Sequence, residues 1–500
     1  MNGGFGCITN YFNVTEAKVS LSDTRRCVCG FWLLLCILPA SASMIYPAKG
    51  FFADPWDTRA LVPPVGQYRA ASGPVVHLPA VQMPSSKVLE HLKTLPELTA
   101  WALAHNPQTS GAWANLEAQA AALGYTKGLW LPTISAQVQG QRSETLYSTS
   151  LPNTPAQNGL YSSLSLSEVL FNFGYRQANV SAAHATALAA RYSANETLQT
   201  VALDVADAYY GLAESKAIVE TYQRGVREAR MIYQSTRTQY RAHLKAITDV
   251  YQAKTELAQA QEDLASAQGS LQASQGQLAE SVGLPISVRV HIHRLRPPKV
   301  PHAPIVSNWL HLAYHQNQAI RADLETMAAA RHNISVAKSQ GLPSLSLVGS
   351  LGKNFFQQNP DQESFSVGLQ LNVPLDTNFQ AQYQVQKARA LYQEARAQAQ
   401  QAIQNIFLQV WKAYFQWQSS YRAYKAAQSQ VQNAQKALSG IRTQYRIGLA
   451  NILDLVTAEE NLINARVTKS EQLAAYYQFQ AELYRYAGVA LLTRPLNTRP

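Results

Sequence analysis

Two stretches decide the fold, 205-VADAYYGLAESKAIVETYQRGVREARMIYQSTRTQY-240 and 410-VWKAYFQWQSSYRAYKAAQSQVQNAQKALSGIRTQY-445. In each, apolar or small residues recur at alternating steps of three and four over five heptads, which is typical of a coiled-coil seam. Equivalent positions differ by a constant 205 residues, as Val205 and Val410 do, and this indicates a duplicated unit. In the first stretch the seam consists of Val205, Ala208, Leu212, Ser215, Val219, Tyr222, Val226, Ala229, Tyr233, Thr236 and Tyr240.

Each seam resumes after a short interruption, at 240–248 in the first half and at 445–453 in the second. Each half is therefore predicted to contain a helical hairpin with a tight tip, over 174–283 and 378–488. The first helix has no proline before the tip and would be roughly 100 Å long at 1.5 Å per residue. Helices of that reach favour rods, tethers or tunnel walls over a compact globule.

The composition argues against a nucleic-acid-binding function. Lys and Arg exceed Asp and Glu by 11, yet charged residues make up only 15% of the chain, and the basic ones are scattered. A dispersed excess without a nucleic-acid-binding motif does not predict a nucleic-acid partner.

The first 42 residues resemble a secretory signal. Arg25 and Arg26 precede the apolar run 31–38, and small residues follow up to Ala42, where cleavage is expected. All four cysteines lie in this segment, so the mature chain has none and forms no disulfide. They are Cys7, Cys27, Cys29 and Cys36.

Four short segments have a different texture, with alternating apolar and small polar residues. Each has about nine residues, enough to cross a membrane as a tilted strand with one face towards lipid. Four strands cannot close a barrel, and open edges in lipid leave backbone groups unpaired, so several chains must contribute; three would give twelve strands. The predicted strands are 133–141, 160–169, 344–352 and 365–373.

The chain resembles the TolC-like outer-membrane efflux proteins from about Leu95 to Gly488. The most specific resemblance lies in the hairpin tips, 246–250, 445–448 and 452–455. It implies a mainly α fold with a membrane β-barrel: a homotrimer whose twelve-strand barrel lies in the outer membrane of a Gram-negative bacterium, above a helical tunnel across the periplasm. It also implies passive export with a periplasmic adaptor and an inner-membrane pump of the RND or ABC type, without enzymatic activity or a cofactor.

The resemblance further assigns a periplasmic gate to the tips. Asp249, Tyr445 and Asp454 match the family's gate positions, whereas Ala450 replaces its arginine and Thr457 its second ring aspartate. Arg446 or Arg241 is therefore expected to supply the cation. The tip residues expected to contact the adaptor are Tyr240, His243 and Gly448.

The resulting organisation has a Pro-rich segment and a linker between the repeats. Its parts are the signal peptide (1–42), an extended Pro-rich segment (43–88), the first repeat (89–284), the linker (285–306), the second repeat (307–490) and a C-terminal tail (491–500).

Several alternatives stay open. The exported substrate could be a small toxic compound or, in type I secretion, a protein toxin or enzyme. A periplasmic coiled-coil tether without a pore also fits the heptads and signal, but it would not need the four strands. His291 with His293, and His311 with His315, have metal-ligand spacing, but no third ligand lies near either pair, so we expect no metal.

Overall fold

The computed structural model describes most of the chain beyond the Pro-rich segment. The predicted signal peptide, the whole Pro-rich segment, the tail and part of the linker lie outside the described residues. The described ranges are 92–145, 154–298, 305–356, 360–375 and 378–489.

The fold is mostly helical, and each half contains two short helices followed by two long ones. The helices of the first half are α1 (Leu95–His105), α2 (Pro107–Lys127), α3 (Tyr175–Arg241) and α4 (Ile247–Val282). Those of the second half are α5 (Val306–Gln316), α6 (Gln318–Gln340), α7 (Gln380–Arg446) and α8 (Ile452–Tyr486). Helices α3 and α7 have 67 residues each, so both are roughly 100 Å long.

Heptad residues form the cores where the helices meet. Leu98 of α1 packs against Val205 of α3 and Leu278 of α4. In the second half, Trp309 of α5 packs against Val410 of α7 and against α8. Helix α3 also contacts α8, and this contact joins the two hairpins within one chain. The repeated apolar stripe thus accounts for both the pairing within hairpins and the repetition of the cores.

A buried asparagine marks the joint between the short helices in both halves. Asn106 separates α1 from α2, and its side-chain amide donates to the carbonyl of Ser281 at 3.0 Å. Asn317 separates α5 from α6 and donates to the carbonyl of Tyr486 at 3.0 Å. Each asparagine therefore caps the helix that follows it and anchors the end of a long helix.

The four strands form one antiparallel sheet in the order β1-β2-β3-β4, so β1 and β4 are its edges within the chain. The strands are longer at their loop ends than the predicted nine residues, because backbone pairing continues where apolar alternation has stopped. The last strand ends one residue earlier than predicted. The strands are β1 (Thr133–Thr145), β2 (Thr154–Phe171), β3 (Ser344–Phe356) and β4 (Gln362–Asn372).

The two faces of the sheet differ in chemistry. On the polar face, serines form a row across all four strands, with Oγ–Oγ distances of 2.7 Å between Ser135 and Ser165 and 2.8 Å between Ser350 and Ser366. The strand register places the large apolar residues together on the opposite face. Its exposed members are Ile134, Val138, Leu160, Leu164, Leu351, Phe365, Val367, Leu369 and Leu371.

Among the described residues, no helix is both long enough and apolar enough to cross a bilayer.

Candidate functional site

Both hairpin tips turn in the same way. At the first tip, the N–H of His243 donates to the carbonyl of Tyr240 and the next N–H to that of Gln239, both at 2.9 Å. The second tip repeats this pair of bonds around Gly448. These bonds define a Schellman motif, in which the residue just after the helix C-cap has a positive φ. That angle is +63° at His243 and +83° at Gly448, so the first tip holds a strained residue where the second has glycine.

The helices after the two tips begin differently. Asn451 caps α8 in a capping box: its side chain accepts from the Asp454 N–H at 2.8 Å, and an Asp454 carboxylate oxygen accepts from the Asn451 N–H at 3.0 Å. Ala246 precedes α4 and has no side-chain acceptor. Asp249 stands at the position of Asp454 in the first repeat, and at the N-terminus of α4 its charge favours the helix dipole. Asp454 is thus a capping residue in this chain.

Tyr445 is the buried centre of the tip region. Its side chain is 4% exposed and packs in an apolar cluster of α7, α8 and α4 that includes Leu455. The Tyr445 hydroxyl lies 3.2 Å from Oγ1 of Thr236 on α3, and the Lys245 ammonium lies 4.4 Å from the ring centroid. Burial raises the pKa of Tyr445, the hydrogen bond with Thr236 lowers it, and the charge of Asp249 raises it. Tyr445 therefore joins the second hairpin to the first.

The other predicted tip residues are less engaged. Tyr240, equivalent to Tyr445, is 39% exposed. Arg446 and Arg241 are exposed, and within the described part of the chain neither forms an ion pair. Asp249 is half-buried and close enough to Tyr445 to affect its pKa. The structure thus brings Asp249 and Tyr445 together, but neither Arg446 nor Arg241 supplies the expected cation to them within this chain.

The sequence analysis missed a charged cluster on the tip side of the hairpins. Arg442 of α7 has its Nη2 atom 2.6 Å from Glu459 Oε1 on α8 and 3.3 Å from Glu228 Oε2 on α3. Glu459 is almost fully buried. Burial and a hydrogen bond with Glu228 raise the pKa of Glu459 to about 7, against the lowering effect of Arg442. The one available signal was the acidic Glu459 standing where the first repeat has Lys254.

The histidine pairs do not form a larger cluster. The rings of His311 and His315 lie 4.6 Å apart between centroids. No group of three or more His, Cys, Asp and Glu side chains able to hold a metal ion occurs in the described ranges.

The chain has both sequence and structural relatives. Protein CyaE of Bordetella pertussis is 26% identical over 398 residues, which is 78% of this chain and 83% of that protein. The alkaline protease secretion protein AprF of Pseudomonas aeruginosa is 28% identical over 187 residues, 36% of this chain and 38% of that protein. The Campylobacter jejuni CmeC outer membrane channel has the same fold, with a TM-score of 0.73 at 18% identity over 86% of this chain and 94% of that chain.

The family model described as outer membrane efflux protein matches residues 98–284 and 309–489, which together are most of the chain and fall on its two halves. This match confirms the resemblance seen in the duplicated hairpins and their tips. The chain belongs to the outer membrane efflux protein family and is an export channel of the Gram-negative outer membrane.

Proposed function

We propose that three copies of this chain assemble into one channel, with a twelve-strand barrel in the outer membrane and a helical tunnel below it. The observation that carries this proposal is the sheet, which has two free edges and an exposed apolar face within one chain. In lipid each unpaired backbone group costs several kcal/mol, so β1 must pair with β4 of another copy. The serine-rich face then lines the lumen.

Exposed residues on the helices support the same assembly. Leu408, Trp411 and Phe415 of α7 are about half exposed, which is unusual for large apolar side chains on a helix wall. The duplication supplies their partner: α3 packs against α8 within the chain, so α7 should pack against α4 of a neighbouring copy in the same manner. Tyr240 would thereby acquire the burial that Tyr445 already has.

The tips are the proposed docking and gating end. The turns around His243 and Gly448 leave Leu244 72% exposed and Leu449 77% exposed, as a surface for a periplasmic adaptor would require. The adaptor would in turn connect the channel to an inner-membrane pump of the RND or ABC type. Tyr240 lies beside this surface and would contact the adaptor or a neighbouring copy.

The gate is proposed to depend on Asp249 and Tyr445. The hydroxyl of Tyr445 holds the second hairpin to α3, and Asp249 adds a negative charge beside it. Asp454 would contribute charge at the entrance besides capping α8, and Arg446 is exposed and available to a neighbouring copy. Moving the second hairpin outward would break the Tyr445–Thr236 contact and widen the tunnel.

Cross-linking in native outer membranes tests the assembly. A pair of cysteines, one on β1 at Gln139 and one on β4 at Gln370, should give trimers when the two strands meet between copies. All four cysteines lie in the predicted signal peptide, so its removal would leave no native cysteine to cross-link. A single cysteine at Gln139 is the control. Monomers and dimers alone at saturating cross-linker would contradict the trimer, and a channel-free coiled-coil tether would then be the better explanation.

A protein substrate is the second candidate, because the chain is similar to AprF, whose name describes alkaline protease secretion. Small-molecule efflux and type I protein secretion would use the same tunnel. Deleting the gene and measuring both drug susceptibility and the secreted proteins separates the two. A change in one readout alone identifies the substrate class.

A further inference from the structure

We propose that Arg442 is the positioning cation of the closed tip, tying α7 and α8 of the second hairpin to α3 of the first through Glu459 and Glu228; the inference rests on the gated channel proposed above. The geometry is a three-helix tie. One guanidinium nitrogen reaches both carboxylates, at 2.6 Å and 3.3 Å. Ala450, half-buried nearby, has no charge and cannot perform this task.

The tie is built into the packing rather than placed on the surface. Glu459 lies in α8 beside Ala458 of the tip cluster, and its side chain is only 6% exposed. A carboxylate in such a place requires a partner, and a charge-assisted hydrogen bond to arginine is among the stronger ones. Arg442 itself is about half exposed, so its link to the more exposed Glu228 is the weaker of the two.

Comparison of the two repeats shows where the residues of the tie occur. At the equivalent positions in the first repeat, Arg237 keeps the arginine, but Lys254 replaces Glu459. Asn433 occupies the position equivalent to Glu228. The same tie therefore cannot form at the equivalent junction between copies, because a lysine and an asparagine occupy the positions of its two carboxylates. The tie belongs to the junction within each chain, and it restrains each second hairpin separately.

The two carboxylates of the tie also lie close enough for Glu228 to raise the pKa of Glu459. The charged groups facing Glu459 are Glu228 from α3 and Arg442 from α7, while Glu256 of α4 faces Glu460. Burial and Glu228 raise the pKa of Glu459 to about 7, so the proton is held below neutral pH and lost as the pH rises through 7. A tip that opens and exposes Glu459 would lose this proton, so the closed tip is favoured in mildly acidic medium, although the ionic attraction of Glu459 to Arg442 is then weaker. The closed tip becomes less favoured as the pH rises through 7, when Glu459 is charged and repelled by Glu228.

Single-channel conductance of the purified full-length protein in planar bilayers tests the tie. Arg442→Ala should raise the probability that the tip is open about tenfold. This change corresponds to a shift of about 1.4 kcal/mol in the equilibrium between the closed and open tip. Arg442→Lys should restore most of the closure. The matched control is Arg237→Ala, which removes the equivalent arginine from the first repeat, where Lys254 and Asn433 replace the two carboxylates. Equal open probability in R442A and R237A would overturn the proposal.

The pH profile separates a gating tie from a merely structural contact. The wild-type protein should be more open at about pH 8.5 than at about pH 5.5, and Glu459→Gln should stay as closed at both values as the wild type is in acid. An unchanged pH profile in E459Q, or a fall in thermal stability of R442A without a change in conductance, would overturn the proposal. If the wild-type protein forms no channel at all, the proposed channel itself is wrong, and the tie is excluded with it.

Discussion

A charge placed on the apolar face of the sheet is the sharpest test of the membrane assignment. Val138 lies near the middle of β1, opposite Ser162, and is 61% exposed on the same face as Ile134. Arginine at a lipid-facing position near the midplane of a barrel costs about 2–4 kcal/mol. Val138→Arg should therefore shift the insertion equilibrium by about 30- to 900-fold per chain. Three copies would enter one barrel, so the free-energy penalty on the assembled channel should be about three times larger, about 6–12 kcal/mol.

The control is the next residue, because successive side chains of a strand point to opposite faces. Gln139→Arg would place its charge in the lumen, where water can solvate it, and should insert almost as well as the wild type. The measurement is the amount of folded, heat-modifiable protein in extracted outer membranes, compared at equal expression. The reasoning is refuted if V138R and Q139R insert equally well, or if only Q139R is excluded.

Three further outcomes follow from the tips and the helix ends. His243→Gly should raise the free energy of unfolding by up to about 1 kcal/mol, because glycine adopts the positive φ without strain. Calorimetry against the wild type measures this change. A loss of stability would contradict the assigned turn. Asp249→Ala combined with Tyr445→Phe should increase single-channel conductance, because a hydrogen bond worth about 0.5–1.5 kcal/mol is lost. The heat stability of the trimer should stay nearly unchanged. A loss of stability at unchanged conductance would mean that both residues are structural. Gly488→Ala should destabilise the second repeat more than Gly283→Ala destabilises the first. A Cβ added at Gly488 would lie 2.5 Å from backbone at the α5–α6 joint, whereas one added at Gly283 would lie 3.3 Å from backbone at the α1–α2 joint. Equal unfolding temperatures of the two variants would refute this expectation.

The arrangement of long hairpins was predictable because it depends on local periodicity. The stripe from Val205 to Tyr240 is a property of one segment, and its repetition 205 residues later needs no knowledge of tertiary contacts. The strands were also recognisable, but their lengths were underestimated, since ladder hydrogen bonds continue through segments without apolar alternation.

The details of the tip were beyond sequence analysis for a physical reason. The Tyr445–Thr236 and Arg442–Glu228 contacts join residues more than 200 positions apart, and only the packing of α3 against the second hairpin brings them together. Arg446 and Arg241 were expected to supply the cation because Ala450 replaces the family's gate arginine. The ion pairs with Glu459 and Glu228 are made by Arg442, which lies about one helical turn before Arg446.

The helical cores form within one chain, whereas the edges of the sheet have no partner in that chain, and this difference affects how the channel would assemble. The apolar clusters of the hairpins described above are formed within one chain, so this part can fold by a unimolecular process at any concentration. In the proposed trimer the edges of the sheet have no partner until other copies arrive, so closure of the barrel would be a multimolecular step whose rate falls steeply on dilution. Meanwhile the unpaired edges are templates for wrong pairing. The yield of channel should consequently rise more steeply than the amount of chain synthesised, and scarce chains should be lost to aggregation or proteolysis.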